Sequence, residues 1–336
     1  MRTILIPDRL KPPADVEQEV FGSDYKVIVG QAKQIEDIPL NQWKECVAIL
    51  AWHDLNFSKD IIEQLGNCKT IVRVGVGYDN VDLKAAGERG IVVCTVPDYG
   101  VDDVADHSMG LLLSLSRGLD SVDSQARNGT WEWTYASNLK RLTDSKLGII
   151  GLGRIGTAVA LRAKAFGIKV FFYDPYIPRG WEKSLGVRRC ETLLDLAEIS
   201  DIISIHVPLT HETQGMINND FFNHCDCKPI IVNTARGGIV DLNALYAGLK
   251  SDKIQAAGLD VLEKEPPNDE NPLIRAWKDS NEWLAGRLII TPHCAFCNVE
   301  SLIEMRQKAS QEALRVLNGD MPRSCVNKEF LMGFQK

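Results

Sequence analysis

No apolar run in this 336-residue sequence reaches the ~18 positions that a membrane-spanning helix requires, which excludes a helical membrane protein. The opening MRTILIPDRLKPP offers only Ile4, Leu5 and Ile6 as an apolar run between Arg2 and Pro7, too short for a signal peptide. No cluster of Lys or Arg occurs, and the net charge is −7. An acidic chain of that kind is expected to partner neither nucleic acid nor an anionic membrane. No internal repeat and no low-complexity tract is present, so solenoids and linker-like arrays are out. The nine cysteines are odd in number and follow no framework spacing. They read as reduced thiols of a cytoplasmic protein, not as disulfide staples.

What is there is globular. Hydrophobic residues make up 45% and charged residues 25%, and the length suits two domains of ordinary size. Short β-rich runs alternate with helical segments throughout. RTILI (2–6), KVIV (26–29), VAIL (47–50), TIVRV (70–74) and GIVV (90–93) come first. A long segment, 101–129, opens on aspartates, keeps apolar residues at helical spacing and ends at Gly129. LGII (147–150), VFFY (170–173), IISIHV (202–207), IIV (230–232), AAGLDV (256–261) and LII (288–290) then resume the alternation, and 299–318 is helical again. Nearly continuous apolar strands separated by helices mean parallel sheets covered on both faces. The expected class is α/β, with two doubly wound parallel-sheet domains.

The window KLGIIGLGRIGTAVALRAKAFGIKVFFYDPY (146–176) carries the first chemistry. Gly151, Gly153 and Gly156 form G-x-G-x-x-G after an apolar strand and at the opening of a helix. A second strand follows and ends in Asp174, 18 positions past the last motif glycine. That is the full context of a dinucleotide fingerprint. Gly151 allows the tight turn, Gly153 lets a pyrophosphate approach the backbone, and Gly156 lets helix and strand pack closely. Asp174 would accept bonds from ribose hydroxyls and repel a 2′-phosphate, which predicts NAD over NADP.

Ligands of a doubly wound sheet gather at the C-terminal ends of its strands. Three strands run out into reactive side chains there: PIIVNTARGG into Arg236, AAGLDVLEKEP into Asp260 and Glu265, and RLIITPH into His293. A carbonyl reduced beside a nicotinamide needs a proton, and histidine can give it near neutral pH. A neighbouring Glu would favour the imidazolium and orient it. Arg236 can grip a carboxylate with two prongs.

LGIIGLGRIG, NTARGGIVD, GLDVLEKEPP and TPHCAF, in that order over nearly the whole chain, resemble the signatures of the NAD-dependent D-isomer-specific 2-hydroxyacid dehydrogenases. RVGVGYDNVDLKAAGERGIVVC, AVALRAKAFGIKVFFYDPY and SCVNKEF are most similar to the C-terminal-binding-protein-like branch. The resemblance implies Arg236 as substrate anchor, Glu265 as partner of the histidine, and His293 as acid/base. It implies that Val74, Gly75, Val76 and Gly77 offer backbone amides to the substrate carboxylate, and that Arg73 also reaches the substrate. Implied cofactor contacts are Gly151, Gly153, Arg154, Ile155, Gly156, Asp174, Val207, Pro208, Thr213, Thr234, Ala235, Arg236, Asp260 and His293. It further implies a discontinuous flavodoxin-like substrate domain, 1–97 plus 298–336. A Rossmann cofactor domain, 98–297, would carry a dimerisation helix at 101–129, with the active site in a cleft that closes on substrate. The chain has Phe296 where the eukaryotic branch has tryptophan, and it ends after a short tail in place of a long one. Both departures weigh against a corepressor and leave the substrate open.

The expectation is a 2-keto acid reductase, or its reverse, using NAD as a homodimer. Two cationic anchors, Arg73 and Arg236, favour a small acid with a second polar or anionic group. A phosphite-type dehydrogenase and an NAD(H)-sensing peptide-binding protein are the alternatives. HCAFC (293–297) and HCDC (224–227) lack the two knuckles of a structural zinc site, so no metal is expected. Cys294, beside a histidine, is a candidate for redox sensing. His107 is expected to be packed or at the domain interface, not catalytic, and His53, in a loop after a strand of the first domain, is a candidate for substrate contact. Trp131, Trp133 and Tyr135 are expected to pack between subunits or domains, or to reach the partner subunit's pocket.

Overall fold

The structure, a computed structural model, describes residues 1–136 and 139–332, apart from the Tyr135 side chain. The chain divides into two compact units, Met1–Gly100 with Cys297–Lys336, and Val101–Phe296.

The first unit is built on a five-stranded parallel sheet. Its strands are β1 (Arg2–Asp8), β2 (Tyr25–Ala32), β3 (Cys46–Ala51), β4 (Thr70–Arg73) and β5 (Val92–Cys94), in spatial order β2-β1-β3-β4-β5. β3 and β4 have no exposed residue, as expected for strands covered on both faces. The chain returns at its end to complete this unit. The helix Val299–Leu317 packs on β3 and β4 and is tied to the helix Asp15–Phe21 by Arg306, which pairs with Glu17 at 2.6 Å and Asp15 at 2.9 Å.

The second unit holds seven parallel strands. These are β6 (Lys146–Ile150), β7 (Lys169–Tyr173), β8 (Arg188–Arg189), β9 (Ile202–Ile205), β10 (Ile230–Asn233), β11 (Ala256–Leu259) and β12 (Leu288–Ile290), in spatial order β12-β11-β10-β9-β6-β7-β8. Two separate cores cover its faces. Ile203, Ile205, Ile231 and Leu259 enter one, with Leu196, Phe221 and Leu245 from helices. Ile202, Ile230 and Val232 enter the other, with Leu112 and Val159. Successive strand residues point to opposite faces, and both faces are buried, so the strands read as unbroken apolar runs.

The segment expected as one helix over 101–129 is two. Helices Val101–Arg117 and Leu119–Arg127 are separated by Gly118, which sits in the left-handed region at φ 59°. Its N–H bonds to the Leu115 carbonyl at 3.2 Å, closing the first helix. Glycine adopts this conformation without a Cβ penalty, whereas the apolar spacing continues on both sides and conceals the break. Among the described residues, no helix is long and apolar enough to cross a membrane.

Candidate active site

In the second unit the glycine turn follows β6. Gly151 has φ 89°, and a Cβ there would lie 2.7 Å from the His206 carbonyl oxygen. At Gly156 a Cβ would lie 2.1 Å from the Gly151 oxygen, so neither site accepts a side chain. Gly153, at the N-cap of the helix Arg154–Ala165, has open space where its Cβ would be. The first-turn N–H groups of a helix have no partner within it and favour an anion. This cradle fits a dinucleotide pyrophosphate.

Asp174 follows β7. Its carboxylate accepts from Leu152 N–H and Tyr176 N–H, both at 2.9 Å, and so locks the glycine turn to the loop beside it. That loop has a prop that sequence reasoning missed. Arg189, mostly buried, donates to the carbonyls of Asp174 (3.1 Å), Ile177 (3.0 Å) and Pro178 (3.1 Å) and lies 4.7 Å over the Phe172 ring. Tyr176 Oη donates to Glu212 at 2.5 Å. Thr213 organises the segment that carries Glu212, donating to the Pro208 carbonyl at 2.6 Å and accepting from Thr210 N–H at 2.8 Å. Val207 and Pro208 lie just past β9, half-buried and exposed. His206 also follows β9, yet burial pushes its pKa down to about 3 and keeps the ring neutral.

Beyond β10, the buried Asn233 shapes the turn that presents Arg236. Its amide accepts from Ala235 N–H at 3.0 Å and donates to the Arg236 carbonyl at 2.9 Å. Thr234 is buried and bonded to Ser108 Oγ at 2.8 Å. The Ser108 proton goes to the Val104 carbonyl, so Thr234 donates here. Arg236 is half-buried and donates to the Ala235 carbonyl at 2.8 Å.

Asp260 and His293 follow β11 and β12. His293 Nδ1 is 2.7 Å from Glu265 Oε2, and Glu265 Oε1 accepts from Leu262 N–H at 2.8 Å. An ionised carboxylate only accepts, so Nδ1 carries the proton of that bond. Burial raises the Glu265 pKa, but the bond and charge of His293, the Leu262 N–H and the charge of Arg236 outweigh it, leaving it below the usual carboxylate value. Arg236, Glu265 and His293 are thus brought into one electrostatic group.

The backbone at His293 is held in the left-handed region at φ 51°. Its N–H donates to the carbonyls of Asp260 (2.8 Å) and Thr291 (3.0 Å). The buried Asp260 clamps the rest of the loop. Its Oδ1 accepts from Thr291 Oγ1 (2.6 Å) and Cys294 N–H (2.9 Å), and its Oδ2 accepts from Ala295 N–H (2.9 Å). The resemblance implied Asp260 as a cofactor contact; in the fold its carboxylate holds the loop that aims His293. His107, from the helix Val101–Arg117, bonds Thr291 Oγ1 through Nε2 at 3.0 Å. Phe296 sets its ring edge-on to His293, centroids 6.2 Å apart.

In the first unit, Arg73 ends β4 and is 5% exposed. Its Nη1 donates to the Val74 carbonyl. Gly75, at φ 148°, passes over it so closely that a Cβ would lie 2.6 Å from Nη1. Val76 is exposed and Gly77 half-buried, so the loop 74–77 turns outward from the strand end. The loop after β3 bears His53 and is fixed by the buried Asp8, a residue that sequence reasoning missed. The Asp8 carboxylate accepts from the N–H groups of Trp52 (3.0 Å), Asp54 (2.9 Å) and Leu55 (3.3 Å), and burial raises its pKa. A strand-end aspartate in ILIPD was the available signal. Trp131 and Trp133 are 89% and 81% exposed, while the Tyr135 side chain lies outside the described residues. Among the described residues no cysteine is in a disulfide.

A family model described as the NAD binding domain of D-isomer specific 2-hydroxyacid dehydrogenases matches residues 109–295. The chain is 36% identical over 327 residues to D-3-phosphoglycerate dehydrogenase of Methanocaldococcus jannaschii, covering 97% of this chain and 60% of that one. It is 35% identical over 338 residues to C-terminal-binding protein 1 of Caenorhabditis elegans, covering 94% and 44%. It therefore spans less than two thirds of these curated relatives. Among solved structures, D-lactate dehydrogenase of Aquifex aeolicus, complexed with NAD and lactic acid, superposes with a TM-score of 0.85 at 28% identity, over 95% of this chain and 96% of that one.

Proposed function

Because the chain belongs to the D-isomer specific 2-hydroxyacid dehydrogenase family, with NAD as its cofactor, we propose that it interconverts a small 2-keto acid and its D-2-hydroxy acid. The carrying observation is the 2.7 Å pair of His293 Nδ1 with Glu265, set beyond β11 and β12 in the unit that holds the glycine cradle. When bound, the nicotinamide donates or accepts the hydride. The chain does the rest. The glycine turn and the first turn of Arg154–Ala165 hold the pyrophosphate, and Asp174 faces the adenosine ribose. Arg236 grips the substrate carboxylate and polarises the carbonyl. His293, oriented by Glu265, gives a proton from Nε2 to the carbonyl oxygen during reduction and takes it back during oxidation. Of the loop 74–77, the N–H groups of Val76 and Gly77 meet the substrate carboxylate in this reading; those implied at Val74 and Gly75 are instead donated to the carbonyls of Ala51 and Arg73, both at 2.8 Å.

The proposal includes a second polar or anionic group on the substrate, for which Arg236 and Arg73 are the cationic candidates, the latter 5% exposed and donating to the Val74 carbonyl. The test is NADH oxidation against a panel of hydroxypyruvate, glyoxylate, oxaloacetate and phosphonopyruvate beside plain pyruvate. One strongly preferred acid with a second polar group supports the reading; a flat profile over small apolar acids sinks the preference. The likeness to C-terminal-binding protein 1 carries a second reading, an NAD(H)-sensing, peptide-binding protein. Negligible turnover with NADH bound, together with NADH-dependent peptide pull-down, would select it. The proposal also includes a cytoplasmic homodimer built on the helix Val101–Arg117 and its neighbour, supported by the exposed Leu119, Trp131 and Trp133. Light scattering that gives one chain's mass would refute the dimer.

Asp174→Ser should raise the NADH KM about tenfold, roughly 1.4 kcal/mol for a charged acceptor lost, and narrow the gap to NADPH. An unchanged NADH/NADPH ratio in steady-state kinetics would show that Asp174 does not read the ribose. Glu265 has a folded-state pKa below its ordinary value, so its contribution to stability is present at neutral pH and lost as pH falls through the carboxylate range. Glu265→Gln should accordingly lose less stability than the parent on acidification, as urea midpoints at neutral and acidic pH would report.

A further inference from the structure

We propose that His107, Asp260 and Cys294 form a binding site for zinc or a zinc-like transition-metal ion. The three residues are 153 and 34 positions apart, so no motif announces them. The fold gathers one ligand atom from each within 4.8 Å of the others. His107 Nε2 and Asp260 Oδ1 are 3.6 Å apart. A tetrahedral zinc ion with bonds of about 2.0–2.2 Å holds its nitrogen and oxygen donors at roughly 3.4 Å. Two of the three ligands are therefore already spaced for coordination. The third, the half-buried Cys294 thiol, has its sulfur within 4.8 Å of both and must close to roughly 3.6 Å, the separation set by a Zn–S bond of about 2.3 Å.

The frame around these donors is stiff. His107 stands on a helix of 17 residues, and Asp260 is held by Thr291 Oγ1, Cys294 N–H and Ala295 N–H. The Thr291 hydroxyl donating to Asp260 Oδ1 at 2.6 Å is the outer-shell bond that a ligating carboxylate commonly has. A thiolate, an imidazole and a carboxylate together select zinc or cobalt over calcium and magnesium, which want oxygen alone. With three protein ligands, the fourth position is open to water. With the Thr291 hydroxyl proton given to Asp260, His107 Nε2 carries the proton of its bond to Thr291; binding requires the imidazole to shift that proton to Nδ1 and releases the Cys294 thiol proton to solvent. Cys294 adjoins His293, whose loop Asp260 clamps, so metal and turnover should exclude one another; that last step rests on the dehydrogenase reading.

The experiment uses the full chain, dialysed against a chelator, titrated with Co²⁺ and then Zn²⁺. One equivalent of cobalt should give a thiolate-to-cobalt charge-transfer band and the visible bands of a tetrahedral site, both bleached by one equivalent of zinc. Cys294→Ser and His107→Gln should each weaken zinc by about 100-fold or more, beyond the roughly 10–100-fold that outer-shell changes cost. Cys297→Ser, at an exposed neighbour, should leave affinity unchanged. Should His107→Gln misfold, Cys294→Ser alone decides, since it is near-isosteric and keeps its backbone N–H on Asp260. In turnover assays zinc should inhibit the parent and spare Cys294→Ser. Absence of the charge-transfer band, or its survival in Cys294→Ser, overturns the site. A stoichiometric, Cys294-dependent band in a protein without dehydrogenase turnover upholds the site and sinks the activity reading instead.

Discussion

His293→Ala should lower kcat by about 10²–10⁴-fold, the contribution typical of a positioned general acid, and leave the NADH dissociation constant within a few-fold of the parent. The split follows from the geometry. The imidazole is engaged through Nδ1 with Glu265, while the glycine cradle lies after β6 at another strand end. Alanine removes the acid, but it also sits poorly at φ 51°, where the loop could shift. His293→Asn controls for this, because asparagine tolerates the left-handed region and cannot serve as an acid near neutral pH. Both variants should be equally slow in single-turnover assays. Near-normal turnover in either would remove His293 from the chemistry. Rapid turnover in Asn with slow turnover in Ala would make the histidine a backbone determinant only.

Arg236→Ala should lower kcat/KM by roughly 10²–10³-fold, since truncating one partner of a charge-assisted hydrogen-bonded pair costs about 2–5 kcal/mol. Lysine should recover only a small part, because a point charge cannot reproduce the planar two-pronged grip on a carboxylate. Arg236 also lowers the Glu265 pKa through its charge, so the variant loosens the Glu265–His293 group as well as the substrate. The loss should fall on KM for the keto acid and on kcat, with NADH affinity changed far less. A lysine variant with parental kcat/KM would show that Arg236 offers charge alone.

The glycine turn and its geometry were readable because their cause is local. Gly151 needs its positive φ and Gly156 its close approach to Gly151, both within one turn and the strand beside it. Residues just past apolar runs were readable for a related reason: parallel strands place their C-terminal ends on one edge, so Arg236, Glu265 and His293 converge without any knowledge of packing. The break at Gly118 was not readable, since helical spacing runs through it and a single glycine inside a helix is common enough to pass. Arg189 carried no pattern either, and the strand-end position of Asp8 did not say what it would bind. Asp8 reaches backbone groups 44 to 47 residues away, and Arg189 reaches carbonyls 11 to 15 residues away.

The sequence by itself determined the class of the fold, the glycine turn after β6 and the identity of the residues beyond the strand ends. Hydrophobic periodicity and backbone stereochemistry act over a few residues and are written in order along the chain. Tertiary structure alone decided what those residues do to one another. It made Asp260 a buried clamp on the His293 loop, set Arg189 beneath the Asp174 loop, and brought His107 from a helix 153 residues upstream to within 3.6 Å of Asp260. Side-chain hydrogen bonds and ligand distances are settled to tenths of an ångström by packing among distant segments, and one-dimensional spacing does not encode distances of that kind.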